Sequence, residues 1–227
     1  MEYGLFVLLN AGFGGIGLLW SMLILGAVSG LLCLLLTRKL IYYRNKTKTN
    51  SFLTGKYAPF LWIIIGATAF YLIYIAEISE IKKIEYSVVY VVCLTLGAVD
   101  FLIRKIPNSL ILMLIANKIV FIALDFSVDE IKKSVFGFAV ACVVFVIPSF
   151  LKISVGAGDI KLAAATGLYL GVIDFMQAMI IMAVSFALYG FYMLIKKTGN
   201  FRTKTAMGPY LALGLFFTLL FPIFNSQ

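Results

Sequence analysis

Long apolar runs alternate with short polar segments along the whole chain, at about 11–36, 58–76, 86–103, 107–125, 134–151, 160–173, 175–195 and 207–222. A helix needs about 20 apolar residues to cross the hydrocarbon layer. The pattern therefore predicts about eight transmembrane helices, the first generous in length and the sixth short. A short or broken span is tolerated where other helices surround it. The expected fold class is all-α: a polytopic integral membrane helix bundle forming a single domain over 1–227. The opening segment carries Glu2 and no basic stretch, and further apolar runs follow it, so it is expected to be the first span rather than a cleavable signal.

The polar connections sort by charge. The first, a basic connector over 37–57, carries Arg38, Lys39, Arg44, Lys46, Lys48 and Lys56 and no acid. The third has Arg104 and Lys105, Lys152 and Lys161 flank the fifth, and the seventh holds Lys196, Lys197, Arg202 and Lys204. The second and fourth mix Glu77, Glu80, Glu85, Asp125, Asp129 and Glu130 with lysines, and Asp174 marks the sixth. Basic connections are retained on the cytosolic side. This predicts that the odd-numbered connections face the cytosol and both termini face outward, in the cell inner or plasma membrane. The net charge of +9 then has a topogenic use, with membrane lipid rather than nucleic acid as its counterpart.

Composition narrows the chemistry. The chain is 63% hydrophobic and 13% charged, against roughly 25% charged for a soluble domain. It has no histidine, and Cys33, Cys93 and Cys142 are isolated within apolar runs. Histidine-based triads, imidazole bases and the usual Cys/His zinc sites are thereby excluded, and no cofactor or metal is expected. The many Tyr and Phe read as interfacial anchors and packing groups.

Eight of the ten acids fall at the N-terminus or in the connections predicted to face outward; Asp100 and Asp159 do not. Asp100 precedes the Arg104-Lys105 pair by about one helical turn, and Asp159 follows Gly156-Ala157-Gly158 where two spans meet. The predicted topology brings both to the cytosolic membrane face. An acid at an apolar boundary is costly unless hydrated, paired or functional. Two neighbouring carboxylates resist joint ionisation, so one can accept a proton from water while the other donates to a carbonyl oxygen. Gly156 and Gly158 suit a tight turn or a close approach of substrate backbone. Pro107 suits the first turn of the fourth span, and Asn108 a cap.

These residues resemble the type IV prepilin peptidase family, including its preflagellin-processing relatives. One family motif is an aspartate followed, after six positions, by Pro-Asn, here Asp100 to Pro107-Asn108. The other is Gly-x-Gly-Asp-x-Lys, here Gly156-Ala157-Gly158-Asp159-Ile160-Lys161. Gly208-Pro209-Tyr210-Leu211-Ala212 is similar to the family's final span, and Gly26, Ser29, Gly30 and Arg38 to its opening helix. The resemblance is concentrated in a catalytic core from about 86 to 213. It implies that Asp100 and Asp159 are the catalytic acids of an aspartic endopeptidase. Its substrate would be the leader of a prepilin or pilin-like membrane protein, cut on the cytosolic side after a leader glycine, with pilus or secretion assembly components as further partners.

Longer family members carry a four-cysteine metal-binding region between the first two spans and N-methylate the product. The connector here has no cysteine, so the resemblance is to the short, peptidase-only form found with Tad/Flp pili and preflagellin systems. The other open reading is a small transporter that couples protons or cations through its boundary aspartates. Lys118, inside the fourth apolar run, suits transport, an outer-interface position, or pairing with an outer acid.

Overall fold

A computed structural model describes residues 2–45, 51–124, 126–150, 156–197 and 205–223, and every regular element within them is an α-helix. Lys46, Lys48, Asp125, Lys152, Arg202 and Lys204 lie outside the described residues. The helices are α1 (Glu2–Asn45), α2 (Ala58–Ile75), α3 (Glu80–Ile103), α4 (Asn108–Leu124), α5 (Val128–Phe150), α6 (Ala157–Ile195) and α7 (Gly208–Leu220). Five are long and apolar enough to cross a membrane: α1 over Gly17–Arg44, α2, α3, α5 over Val128–Pro148, and α6. The other two, α4 and α7, are shorter and apolar.

Several helices outrun the apolar stretches that predicted them, and their caps explain how. Ser79 Oγ accepts the Lys82 N–H at 3.4 Å and starts α3 before its apolar run begins. Ser127 does the same for Glu130 at 3.4 Å, and Asp129 and Glu130 then occupy the first turn of α5, where the helix dipole favours acids. At the other extreme, α1 continues through Arg38 to Asn45, so the basic connector begins as helix.

The largest difference from expectation is in α6. Its 39 residues would stretch nearly 60 Å, about twice the hydrocarbon thickness, if they ran straight. They do not, because Gly171 adopts φ 72° and ψ −170°, a backbone state that glycine reaches without a steric penalty. Before this break, Tyr169 Oη donates to the Leu114 carbonyl at 3.1 Å. After it, Gln177 Nε2 donates to the Phe221 carbonyl at 2.7 Å, and further on Tyr189 meets the Phe101 ring at 6.0 Å. Since α6 starts beside the Asp100 end of α3 and its second arm returns to Phe101, the chain reverses at Gly171. The sixth and seventh apolar runs are the two arms. Their boundary is Gly171, not Asp174, which is buried in the second arm and paired with Lys133 of α5 at 3.2 Å.

Small residues let the helices approach closely where no hydrophobic effect between lipid and protein can drive association. A Cβ on Gly26 of α1 would stand 2.5 Å from the Gly66 carbonyl of α2, and one on Gly214 of α7 would stand 2.5 Å from the Ala178 carbonyl of α6. The main core joins α3, α6 and α7 through Leu96, Leu162, Phe175, Leu211 and Leu215, all fully buried. Outward-facing side chains such as Phe136, Leu188 and Ile180 are apolar and exposed, as a lipid-facing surface requires. Successive spans alternate in direction, so the helix ends carrying Arg38, Arg104, Lys105, Lys161 and Lys196 gather at the Asp100 end. Glu85, Lys118, Glu130, Lys133 and Asp174 gather at the other.

Candidate active site

Asp100 lies in the last turn of α3 and is 4% exposed. Its backbone carbonyl accepts the Arg104 N–H at 2.7 Å, and Arg104 ends the helix in the left-handed conformation at φ 52°. That stop turns the chain sharply through Lys105 and Ile106 to the buried Pro107, whose carbonyl opens α4 by accepting the Leu110 N–H at 3.1 Å. The Asp100 side chain reaches across to α7, where its Oδ2 accepts the Gly208 N–H at 3.0 Å. The first N–H groups of a helix have no partner within it. Asp100 satisfies one of them, and Pro209 has none to satisfy.

Asp159 is the third residue of α6 and is half-buried. Its carboxylate turns back toward Gly156, the residue that caps the helix. A carboxylate at this position reaching back to the capping residue is a recurrent helix start. Gly156 has φ −65°, which any residue adopts, so a strained turn does not require its glycine. Space does: a Cβ there would lie 2.6 Å from Asp159 Oδ2.

One side chain not singled out in the sequence joins the two halves. Ile106, from the short α3–α4 connection, is wedged between the glycines beside the two acids. A Cβ on Gly158 would meet Ile106 Cβ at 3.0 Å, and one on Gly208 would meet Ile106 Cδ1 at 3.2 Å. Around this wedge the chain segments that carry Asp100 and Asp159 converge. The second link is polar: Lys161 Nζ donates to Asn108 Oδ1 at 3.4 Å. The residues of both motifs and of the Gly208-Pro209 pair thus form one cluster from α3, α4, α6 and α7. No sequence signal marked Ile106 beyond its position inside the first motif.

Residues 87–194 match the type IV leader peptidase family. The family to which the motifs pointed is the one matched, and the matched region contains both aspartates. No curated protein and no solved structure matched the chain. The leader peptidase match implies a peptidase, in a protein whose long apolar helices make it a membrane protein.

Set in that leader peptidase framework, the cluster has the parts of an acid–base pair. Asp100 accepts a backbone N–H at the start of α7, and Asp159 lies in the first turn of α6, both sites that favour negative charge. Asp100 is more enclosed than Asp159, so the two carboxyl groups meet different surroundings. Such a pair can hold one proton between two acids and pass it to or from a reacting atom. Tyr210 packs against Phe186 and Tyr189, with ring centroids 5.3 and 5.9 Å away, as a support for α7. Lys118 lies at the opposite end, buried, with Nζ 2.7 Å from Glu130 Oε1 and 3.9 Å from Glu85 Oε1. It is paired with acids of that end, one of the alternatives its sequence position left open, and takes no part in the Asp100 cluster.

Proposed function

We propose that the chain is a membrane aspartic endopeptidase that removes the N-terminal leader of type IV prepilins or pilin-like proteins at the cytosolic membrane face. The observation that carries the reading is the convergence of the two motif aspartates, 59 positions apart in the sequence, around Ile106 at the basic end of the bundle. In this reading one carboxylate takes a proton from water, which attacks the scissile carbonyl carbon, while the protonated partner hydrogen-bonds the carbonyl oxygen. The proton then passes to the leaving amine, and the peptide bond breaks without a metal. Pro107 and Asn108 hold the connection that carries Ile106, Gly156 and Gly158 leave room for Asp159 and Ile106, and Gly208 and Pro209 present a donor to Asp100. Lys161 orients Asn108. With only a short cysteine-free connector after α1, the activity is peptidase without methylation, in the manner of Tad/Flp and preflagellin systems.

The test is co-expression with a candidate prepilin, a short leader followed by a hydrophobic helix, and measurement of processed product at matched membrane levels. Asp100→Asn and Asp159→Asn each preserve size and remove acid–base capacity, and each is expected to lower cleavage by at least about a hundredfold. Specific cleavage retained by either variant removes that aspartate from the mechanism.

A further inference from the structure

Beside the aspartate cluster the bundle is hollow. A cavity of about 620 Å³ lies between α2 and α7 over the face of α3. It runs along α3 from Tyr90 to Leu102, roughly 18 Å at the helical rise, or more than half the hydrocarbon thickness. Its walls are almost wholly apolar, and Ile64, Phe101, Leu213 and Phe217 line it while remaining exposed, so it opens on the side of the bundle toward lipid. Gly97, Ala98 and Ala212 on its floor offer little side-chain bulk, which favours the close approach of another helix.

Position distinguishes this groove from an ordinary lipid-facing hollow. Gly97 and Phe101 lie one turn before and one residue after Asp100, and Pro209 follows the glycine that donates to Asp100. The groove therefore ends level with Asp100 along α3, while the buried acid itself lies behind the contact of α3 with α7 and does not line it. There it meets Ser51, Phe52 and Leu53. That segment is pinned: Trp62 Nε1 donates to the Leu53 carbonyl at 2.9 Å, and the Arg38 guanidinium to the Thr54 carbonyl at 2.8 Å.

We propose that this groove seats one face of the substrate's hydrophobic helix, with segment 51–53 as the stop that sets the helix end level with Asp100. The inference rests on the leader peptidase reading and adds where the membrane part of the substrate binds. A helical cylinder about 10 Å wide and 18 Å long occupies roughly 1,400 Å³, so the cavity accepts one face of such a helix and leaves the other to lipid. A helix seated there delivers the peptide bond just before its first turn to the aspartates. The distance from leader to helix, rather than the leader's sequence alone, then selects the bond that is cut.

The experiment places a photo-crosslinking residue at Thr68 or Leu213 in the groove, or at Phe136 on the lipid face of α5, each in an Asp159→Ala background that leaves the co-expressed prepilin uncut. Adducts to the prepilin are expected at least fivefold more often from Thr68 and Leu213 than from Phe136. In otherwise wild-type protein, Leu213→Trp, which fills the groove, is expected to lower cleavage at least tenfold at equal membrane level, and Phe136→Trp to leave it unchanged. Equal adducts from all three positions, or adducts to lipid alone at the groove, overturn the proposal, as does full cleavage by Leu213→Trp. Absence of cleavage by the wild type is a different result, and it overturns the peptidase reading itself.

Discussion

A carboxylate at the start of a helix has an ordinary occupation, which is to satisfy unpaired backbone N–H groups; Asp100 has it at α7, and Asp159 stands in the first turn of α6, where it is available for the same. Only their arrangement distinguishes them from caps. Asp100 caps a helix that begins 108 positions away, and its neighbour Ile106 fills the space between that helix start and the one that carries Asp159. Glycine at 208 is thus a condition of the site. A methyl group there would stand 2.7 Å from Asp100 Oδ2 and would force the carboxylate off the Gly208 N–H. Gly208→Ala is expected to reduce leader cleavage at least tenfold while the protein still accumulates in the membrane. Gly190→Ala is the matched control, since a Cβ at 190 meets nothing within 4 Å and alanine suits a helix interior. Equal cleavage by both variants would show that the placement of Asp100 by Gly208 is dispensable.

At the scale of elements, two features set how the bundle is assembled. The reversal at Gly171 folds α6 into two arms, and the positive φ there penalises any side chain. In Gly171→Ala the new methyl also meets the Lys133 side chain, which itself pairs with Asp174. A stability loss of about 1–3 kcal/mol is expected, read as a lower midpoint of thermal unfolding in detergent. The second feature is the ion-pair cluster at the opposite end from Asp100. Lys118 lies between Glu85 of α3 and Glu130 of α5, with Glu85 only 6% exposed. Lys118→Met strands a buried carboxylate, a loss of about 3–5 kcal/mol, and adding Glu85→Gln should restore part of it. A double variant no more stable than Lys118→Met alone would deny that the two groups are coupled. Periodicity could find these helices but not these joints. The apolar count separated the arms of α6 at Asp174 because an acid is the visible interruption. The actual break lies three residues earlier, where the deciding property is a backbone angle that hydropathy does not report. Lys118 was legible as an anomaly, whereas its partners come from helices remote in sequence.

For the whole molecule, charge was the most informative pattern in the sequence. The described basic helix ends do gather at the end that carries the aspartates, and the mixed and acidic ones at the other, because each apolar run becomes a helix or an arm that reverses the chain. The groove was illegible for a complementary reason: it is a space between α2 and α7, and residues such as Ile64 and Leu213 read as lipid-facing whether or not a neighbour is missing. The same alternation supplies a test of orientation. Lys105 and Lys132 are both exposed, at opposite ends of the bundle, so cysteines placed at these positions report the two faces separately. In a background with Cys142→Ala, a membrane-impermeant maleimide applied to intact cells is expected to label Lys132→Cys and spare Lys105→Cys, and inverted membrane vesicles should reverse the result. The segregation of positive charge drives this expectation, since Arg104 and Lys105 would have to cross the membrane in the opposite orientation. Labelling of both positions from one side would contradict a bundle that spans the bilayer. Labelling of Lys105→Cys alone from outside would put the aspartates on the outer face and overturn the proposed cytosolic site.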